Sequence, residues 1–123
     1  MKRFPAPLLL PALLLAPLAA AQRLDNPKAL RLQGEQVNLL TLQRGDAPEK
    51  HYPAAAKKAA LDGVVVVDVL LNEAGQVLEA QVVSELPQEA GFGLAALDTV
   101  KTFEFHNPLR RWVLLALTIE FLP

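Results

Sequence analysis

The 123-residue sequence contains no cysteine, one serine and two histidines. Without cysteine, a disulfide framework, thiolate chemistry and thiolate metal ligands are excluded. Ser84 lies in or at the end of a predicted strand, and His51 and His106 border a predicted helix entry and a predicted turn, so we expect structural roles for all three. The sequence shows no nucleophile paired with a base. It also shows no set of metal ligands at matched spacing. The sequence therefore predicts no enzymatic activity, no cofactor and no metal.

Net charge is also small, since 12 Lys and Arg stand against 13 Asp and Glu. Arg110 and Arg111 form the strongest basic pair, which is too small a patch to indicate nucleic-acid binding. Gly91-Phe92-Gly93 lacks the further glycine and the strand-to-turn context of a phosphate-binding loop. We therefore predict no nucleic-acid partner.

The N-terminal residues have the layout of a secretory signal peptide. Lys2 and Arg3 precede an apolar stretch from Phe4 to Leu18, and Ala19 and Ala21 fit a small-residue cleavage site. An uncleaved inner-membrane anchor is the alternative, although four prolines interrupt the stretch. We predict a signal peptide over residues 1–21 and export to a bacterial periplasm.

Residues 22–47 carry weaker signals and are predicted to form an N-terminal arm. Alternation within Glu35–Arg44 leaves room for one short strand. Gly45-Asp46-Ala47-Pro48 is a turn signal, so we place the start of the main domain, residues 48–123, at this point.

The strongest pattern is a β-hairpin. Gly63–Leu71 and Val77–Val83 are rich in β-branched residues, and the intervening Asn72–Gln76 contains a glycine. Charged and amide side chains, such as Asp68, mark one face of the hairpin as the wetter one. The residues of the other face are predicted to enter the core: Val65, Val67, Val69, Leu78, Ala80 and Val82.

Two helices and a third strand complete the pattern. Pro53 opens a short helix over Ala54–Leu61, and helical spacing of apolar residues predicts a second helix over Phe92–Phe103. Trp112–Leu122 is a long apolar strand. The order helix–strand–strand–helix–strand predicts an α+β fold, with two helices on one face of a three-stranded antiparallel sheet.

The third strand is apolar on both faces, which a sheet covered on one side does not require. We therefore expect residues 24–44, a second copy of the chain or a ligand peptide to cover the second face or an edge. An exposed sheet edge binds extended chains by strand addition. The residues alone leave open whether this edge binds a partner, is blunted or forms a dimer.

An ordered set of motifs resembles the C-terminal domain of the TonB family of energy transducers, over about residues 48–122. The motifs are Tyr52-Pro53, Ala56, Gly63-x-Val65-x-Val67, Gly75-x-Val77, Val82-Val83-Ser84, Ala95-Ala96-Leu97-x-x-Val100 and Phe103-x-Phe105-x-x-Pro108. The resemblance implies the helix and strand order predicted above. It also implies a periplasmic domain that pairs a sheet edge with a short segment of outer-membrane receptors.

By this resemblance, the last strand supplies the partner-binding edge. The edge residues are Trp112, Val113, Leu114, Leu115, Ala116, Leu117, Thr118 and Ile119. The family's motif positions, which are mainly structural, are Tyr52, Pro53, Gly63, Gly75, Ala96, Phe103, Phe105 and Pro108.

The chain departs from family transducers at its N-terminus. Their membrane helix carries a Ser and a His that engage a motor, whereas residues 1–50 contain neither, and the long Pro-rich spacer is missing. We predict a TonB-like periplasmic domain that binds an extended peptide or protein by strand addition, in association with transport across the outer membrane. The alternative is a periplasmic structural or scaffold module, with a homodimer as one form, that is not coupled to transport.

Overall fold

The computed structural model describes residues 23–123. The predicted signal peptide, residues 1–21, lies outside the described residues. From residue 23 onwards, none of the helices combines the length and the apolar character needed to cross a membrane.

The described chain contains six strands, two α-helices and two 3-10 helices. In chain order they are β1 (Leu30–Arg31), a 3-10 helix (Gly34–Leu39), β2 (Thr41–Arg44), a 3-10 helix (Pro48–His51), α1 (Ala54–Lys58), β3 (Gly63–Leu71), β4 (Val77–Leu86), α2 (Phe92–Val100), β5 (Glu104–His106) and β6 (Val113–Phe121).

The strands form two sheets. The main sheet has the order β1-β6-β3-β4, in which β1 is parallel to β6 and the other pairs are antiparallel. β2 and β5 form a separate antiparallel pair. The predicted α+β class is confirmed, but the prediction of three strands in a purely antiparallel sheet was wrong. β1 and β5 have two and three residues, which is too short for an alternating pattern to show in the sequence.

One face of the main sheet forms the core. Val65, Val67 and Val69 are completely buried, as predicted. The prediction for Leu78 was wrong, because its side chain is 44% exposed. The β3–β4 register shifts between Leu70 and Leu71, so Val77 pairs with Leu71 and packs on the core in place of Leu78. Such a bulge reverses the alternation on which the prediction depended.

Both helices contribute to this core. Ala56 of α1 is buried, and Phe92, Ala96 and Val100 of α2 are completely buried. Each helix is shorter than predicted: α1 ends at Lys58 and α2 at Val100. Phe103 lies beyond the end of α2, where the chain turns towards β5.

An aromatic cluster closes one end of the core. The ring centroid of Tyr52 lies 5.7 Å from that of Phe121 and 5.8 Å from that of Phe92. The centroids of Phe92 and Phe121 are 5.2 Å apart. A Cβ on Gly63 would lie 2.5 Å from the ring of Phe92. Because Gly63 has no side chain, the Phe92 ring can pack against the sheet at the start of β3.

The second face of the sheet differs from the prediction at Asp68. We expected this carboxylate on the wetter face, but it is completely buried. The N-terminal arm lies over it, and Arg31 forms an ion pair with it. Alternation in β3 assigned Asp68 to the correct face, but its partner Arg31, which is half-buried, belongs to a distant part of the chain.

Candidate functional site

Strand β6 lies between β1 and β3, and its outer edge is divided into two halves. Its ladder with β3 runs without a register shift from Val113–Leu71 to Phe121–Gly63. On the other side, β1 pairs only with Val113 and Leu114. We call residues 112–114 the paired half of the β6 edge and residues 116–121 the open half.

In the paired half, the chain's own arm is hydrogen-bonded to β6. The N–H of Leu30 donates to the carbonyl oxygen of Trp112 at 3.0 Å, and the N–H of Leu32 donates to that of Leu114 at 2.8 Å. Because backbone groups alternate along a strand, the even-numbered residues of β6 direct their N–H and C=O groups outwards.

The arm is fixed to the sheet through Asp68. Arg31 donates from Nη1 to Oδ1 at 2.5 Å and from Nη2 to Oδ2 at 2.8 Å. The N–H of Leu24 donates to Oδ2 at 2.9 Å, and Arg31 Nη2 also donates to the carbonyl oxygen of Leu24 at 2.9 Å. The hydrogen bond to Asp68 raises the pKa of Arg31 above its ordinary value. Asp68 is therefore a buried acceptor for a guanidinium and a backbone donor.

The sequence analysis did not identify Arg31 and Asp68 as functional residues. Their signal was available: Asp68 is the single charge in the nine residues of β3, and Arg31 stands between Leu30 and Leu32. Cover of the second face by residues 24–44 was one of three expectations, and at Asp68 it is confirmed. Sequence spacing could not join these residues, because 37 positions separate them.

The open half has no neighbouring strand among residues 23–123. Ala116, Thr118 and Glu120 are exposed, and their backbone groups point outwards. On the other face, Ile119 and Phe121 are buried in the core. The open half is thus fixed by its ladder with β3 and by its buried side chains. Its outward backbone groups have no strand partner in the described chain.

The other free edge of the main sheet, along β4, has different features. The β3–β4 ladder contains two register shifts, and Glu79 adds a charge to the exposed strand. Bulges and charges are the usual protection of an edge against pairing with another chain. β6 has neither feature between Trp112 and Ile119, so its open half is the edge better suited to strand addition.

The approach to β6 is fixed by the loop after β5. The buried Asn107 donates from Nδ2 to the carbonyl oxygens of Asn72 at 3.0 Å and Arg111 at 2.8 Å. Trp112 Nε1 donates to Glu73 Oε1 at 2.9 Å. The turn of the β3–β4 hairpin therefore positions the first residues of β6.

The predicted edge residues fall into three groups. Trp112, Val113 and Leu114 belong to the paired half, where β1 is the neighbour. Leu115, Leu117 and Ile119 alternate with the outward-facing residues, so their backbone groups face β3. Ala116 and Thr118 face outwards in the open half. A binding role for these residues stays a prediction.

Most of the family motif positions have structural contacts. Tyr52 is in the aromatic cluster and donates to the carbonyl oxygen of Leu61, and Ala96 is buried in the core. A Cβ on Gly91 would contact Pro53 at 3.4 Å, and a Cβ on Gly75, whose φ is +83°, would collide with the backbone of Phe105. The rings of Phe103 and Phe105 pack edge to face at 5.9 Å, while Pro108 is exposed.

The two histidines lie in different elements: His51 ends the second 3-10 helix and His106 ends β5. His51 Nε2 is 2.9 Å from Asp46 Oδ2, and this hydrogen bond is the main cause that lowers the pKa of Asp46. Thr102 accepts from the N–H of Asp46, which joins this corner to the residues after α2. In the part of the chain that the structure describes, no three His, Asp or Glu side chains form a group that could hold a metal ion.

Comparison with models of known protein families gives a match. The family model for the Gram-negative bacterial TonB protein C-terminal matches residues 48–121, which is more than half of the chain. No curated protein matches. The matched range begins at the second 3-10 helix and ends with β6, so it contains the open half and excludes β1 and β2.

Proposed function

The chain belongs to the TonB C-terminal family, and we propose that its domain binds an extended segment of a partner protein by strand addition to the open half of β6. The family is associated with TonB-dependent transport. Domains of this family are typically periplasmic and interact with other proteins, such as outer-membrane receptors. We propose the periplasm as the location of this chain as well, after removal of residues 1–21, and we propose no catalytic role.

The observation that carries the proposal is the contrast between the two free edges of the main sheet. The open half of β6 has a continuous ladder on its inner side and no charge before Glu120. Its six residues span about 20 Å, enough for a partner strand of five or six residues. Backbone hydrogen bonds would supply affinity, and side chains beside Ala116 and Thr118 would supply selectivity.

The test is a titration of the full chain with synthetic peptides from the N-terminal segments of outer-membrane receptors, followed by amide NMR. We expect the largest shifts at Ala116, Thr118 and Glu120. Thr118→Pro removes an outward donor and leaves the β3 ladder unaltered, so it should abolish binding. Thr118→Val keeps that donor and is the matched control, with binding retained.

Two results would contradict strand addition at this edge. One is a titration in which the β6 amides do not move with any of the peptides. The other is equal binding by Thr118→Pro and Thr118→Val. Leu117→Pro is less informative, because the backbone of Leu117 faces β3 and the variant would also damage the sheet.

A second candidate is a structural or scaffold module that forms a homodimer through the same edge. If two open halves pair antiparallel around Thr118, Glu120 lies opposite Ala116 of the second copy and two like charges do not meet. Sedimentation at several concentrations distinguishes the candidates. A mass that doubles with concentration and returns to the monomer in Thr118→Pro supports the dimer, whereas a monomer at all concentrations contradicts it.

A further inference from the structure

The chain already contains one example of strand addition to β6, which is the contact made by its own arm. β1 adds to the paired half through Leu30 and Leu32, and Arg31 between them reaches Asp68. This contact overlaps the predicted partner edge at Trp112, Val113 and Leu114. The arm therefore has the position and the backbone bonding of a bound peptide.

We propose that the arm, residues 24–32, is an internal ligand of the β6 edge. A partner strand that pairs with all of β6 displaces it and supplies a cationic side chain to Asp68 in place of Arg31. The proposal rests on the proposed strand addition and names the class of partner: an extended basic segment.

The arm contact is small enough for exchange. β1 has two residues, so few backbone hydrogen bonds join the arm to β6, among them those that Leu30 and Leu32 donate to Trp112 and Leu114. The remaining polar contacts converge on Asp68, from Arg31 and from the N–H of Leu24. A longer strand that pairs with the paired and open halves together would make more backbone bonds than the arm does.

Asp68 determines which partners can replace the arm. Its carboxylate is completely buried while the arm covers it. A neutral strand in the place of the arm would cover Asp68 again without a cation, and a buried charge without its partner is strongly unfavourable. A neutral partner strand therefore leaves the arm in place and is confined to the open half. Arginine suits the position better than lysine, because Arg31 binds Asp68 with two parallel hydrogen bonds.

The arm also has the advantage of attachment to the same chain. A tethered segment acts at an effective concentration on the order of millimolar. A free peptide of equal intrinsic affinity therefore binds poorly until the arm is weakened. This competition provides the test.

The experiment uses the full chain and a synthetic peptide of residues 24–33, followed by amide NMR of Trp112, Leu114 and Asp68. Leu30→Pro removes the N–H that donates to Trp112 and leaves Arg31 unchanged. We expect the peptide to bind this variant at least tenfold more tightly than it binds the unaltered chain. Leu30→Ala shortens the same side chain and keeps the N–H, so it should bind the peptide less tightly than Leu30→Pro does.

A second peptide tests the requirement for a cation. The peptide with Arg31→Ala should bind Leu30→Pro at least tenfold more weakly than the natural peptide, and the peptide with Arg31→Lys should lie between them. If Leu30→Pro fails to fold, Leu24→Pro serves instead, because it removes a donor to Asp68 without altering β1.

Equal binding of the peptide to Leu30→Pro and Leu30→Ala would overturn the internal-ligand proposal. Equal binding of the natural and Arg31→Ala peptides would overturn the cation requirement. Neither result affects titration of the open half with receptor peptides, so failure here is distinguishable from failure of strand addition itself.

Discussion

The two halves of the β6 edge share one strand and one inner neighbour, yet their outer environments are opposite. At the paired half, Leu114 is buried beside Leu70, which is 2% exposed. At the open half, Glu120 is exposed beside Val64, which is 40% exposed. Because both halves share the same ladder with β3, the difference comes from the arm, which pairs with β6 at Val113 and Leu114.

The largest expected effect tests whether core packing of the Phe121 side chain stabilises the open half. Phe121→Ala removes a buried ring from the aromatic cluster, so we expect a loss of about 3–5 kcal/mol in the free energy of unfolding. Urea denaturation measures it. Leu122→Ala is the adjacent control, with an exposed side chain and an expected change within about 0.5 kcal/mol. Similar losses in both variants would contradict this view of the open half.

The next effect tests how the paired half is held. Arg31→Ala leaves Asp68 buried without its cation, and we expect a loss of about 3 kcal/mol by urea denaturation. Arg44 also forms an ion pair, with Glu104 at 3.4 Å, but both side chains are exposed. Arg44→Ala should therefore change stability by less than about 0.5 kcal/mol. If the two arginine variants behaved alike, the arm would not be fixed through Asp68.

A smaller and more local effect sharpens the comparison along the strand. The amides of Ala116, Thr118 and Glu120 point outwards without a neighbouring strand, whereas that of Leu114 faces β1. We expect hydrogen exchange at Thr118 to be at least about tenfold faster than at Leu114 or Leu117. Leu30→Pro should raise the rate at Leu114 and leave that at Thr118 unchanged. Equal rates at Leu114 and Thr118 would remove the distinction between the halves.

The smallest effect concerns the hydrogen bond between Asp46 and His51. The hydrogen bond with His51 lowers the pKa of Asp46, so the ionised carboxylate stabilises the fold above the ordinary aspartate pKa. That contribution is lost as the pH falls through the lowered pKa of the folded state. Asp46→Asn should therefore lower stability slightly at pH 7 and have no effect below the lowered pKa, which flattens the acid side of the stability–pH curve. An unaltered curve would show that this contact does not contribute.

The sequence was most informative where a long pattern met a clear turn. Asn72–Gln76 was predicted as the hairpin turn, and β3 ends and β4 begins on either side of it. Val65, Val67 and Val69 enter the core as their alternation predicts. The family resemblance was also correct, because the ordered motifs span most of the matched range.

The sequence was least informative where contacts join distant segments. Leu78 is exposed because a bulge changes the register, and one strand alone does not show where a bulge falls. β1 is recognisable only by its pairing with Val113 and Leu114. The same reason explains why Asp68 was assigned to a wet face: the group that buries it lies in an arm with little pattern of its own.

The contacts of Leu24 and Arg31 with Asp68 also give the domain a defined load path. Tension applied upstream of Leu24 enters β3, an inner strand, through Asp68 before it reaches the backbone bonds of β1. Moderate tension would peel off residues 24–32 while the core from β3 to β6 stays folded. Their release would add about 30 Å of extended chain before the tension reached the folded core.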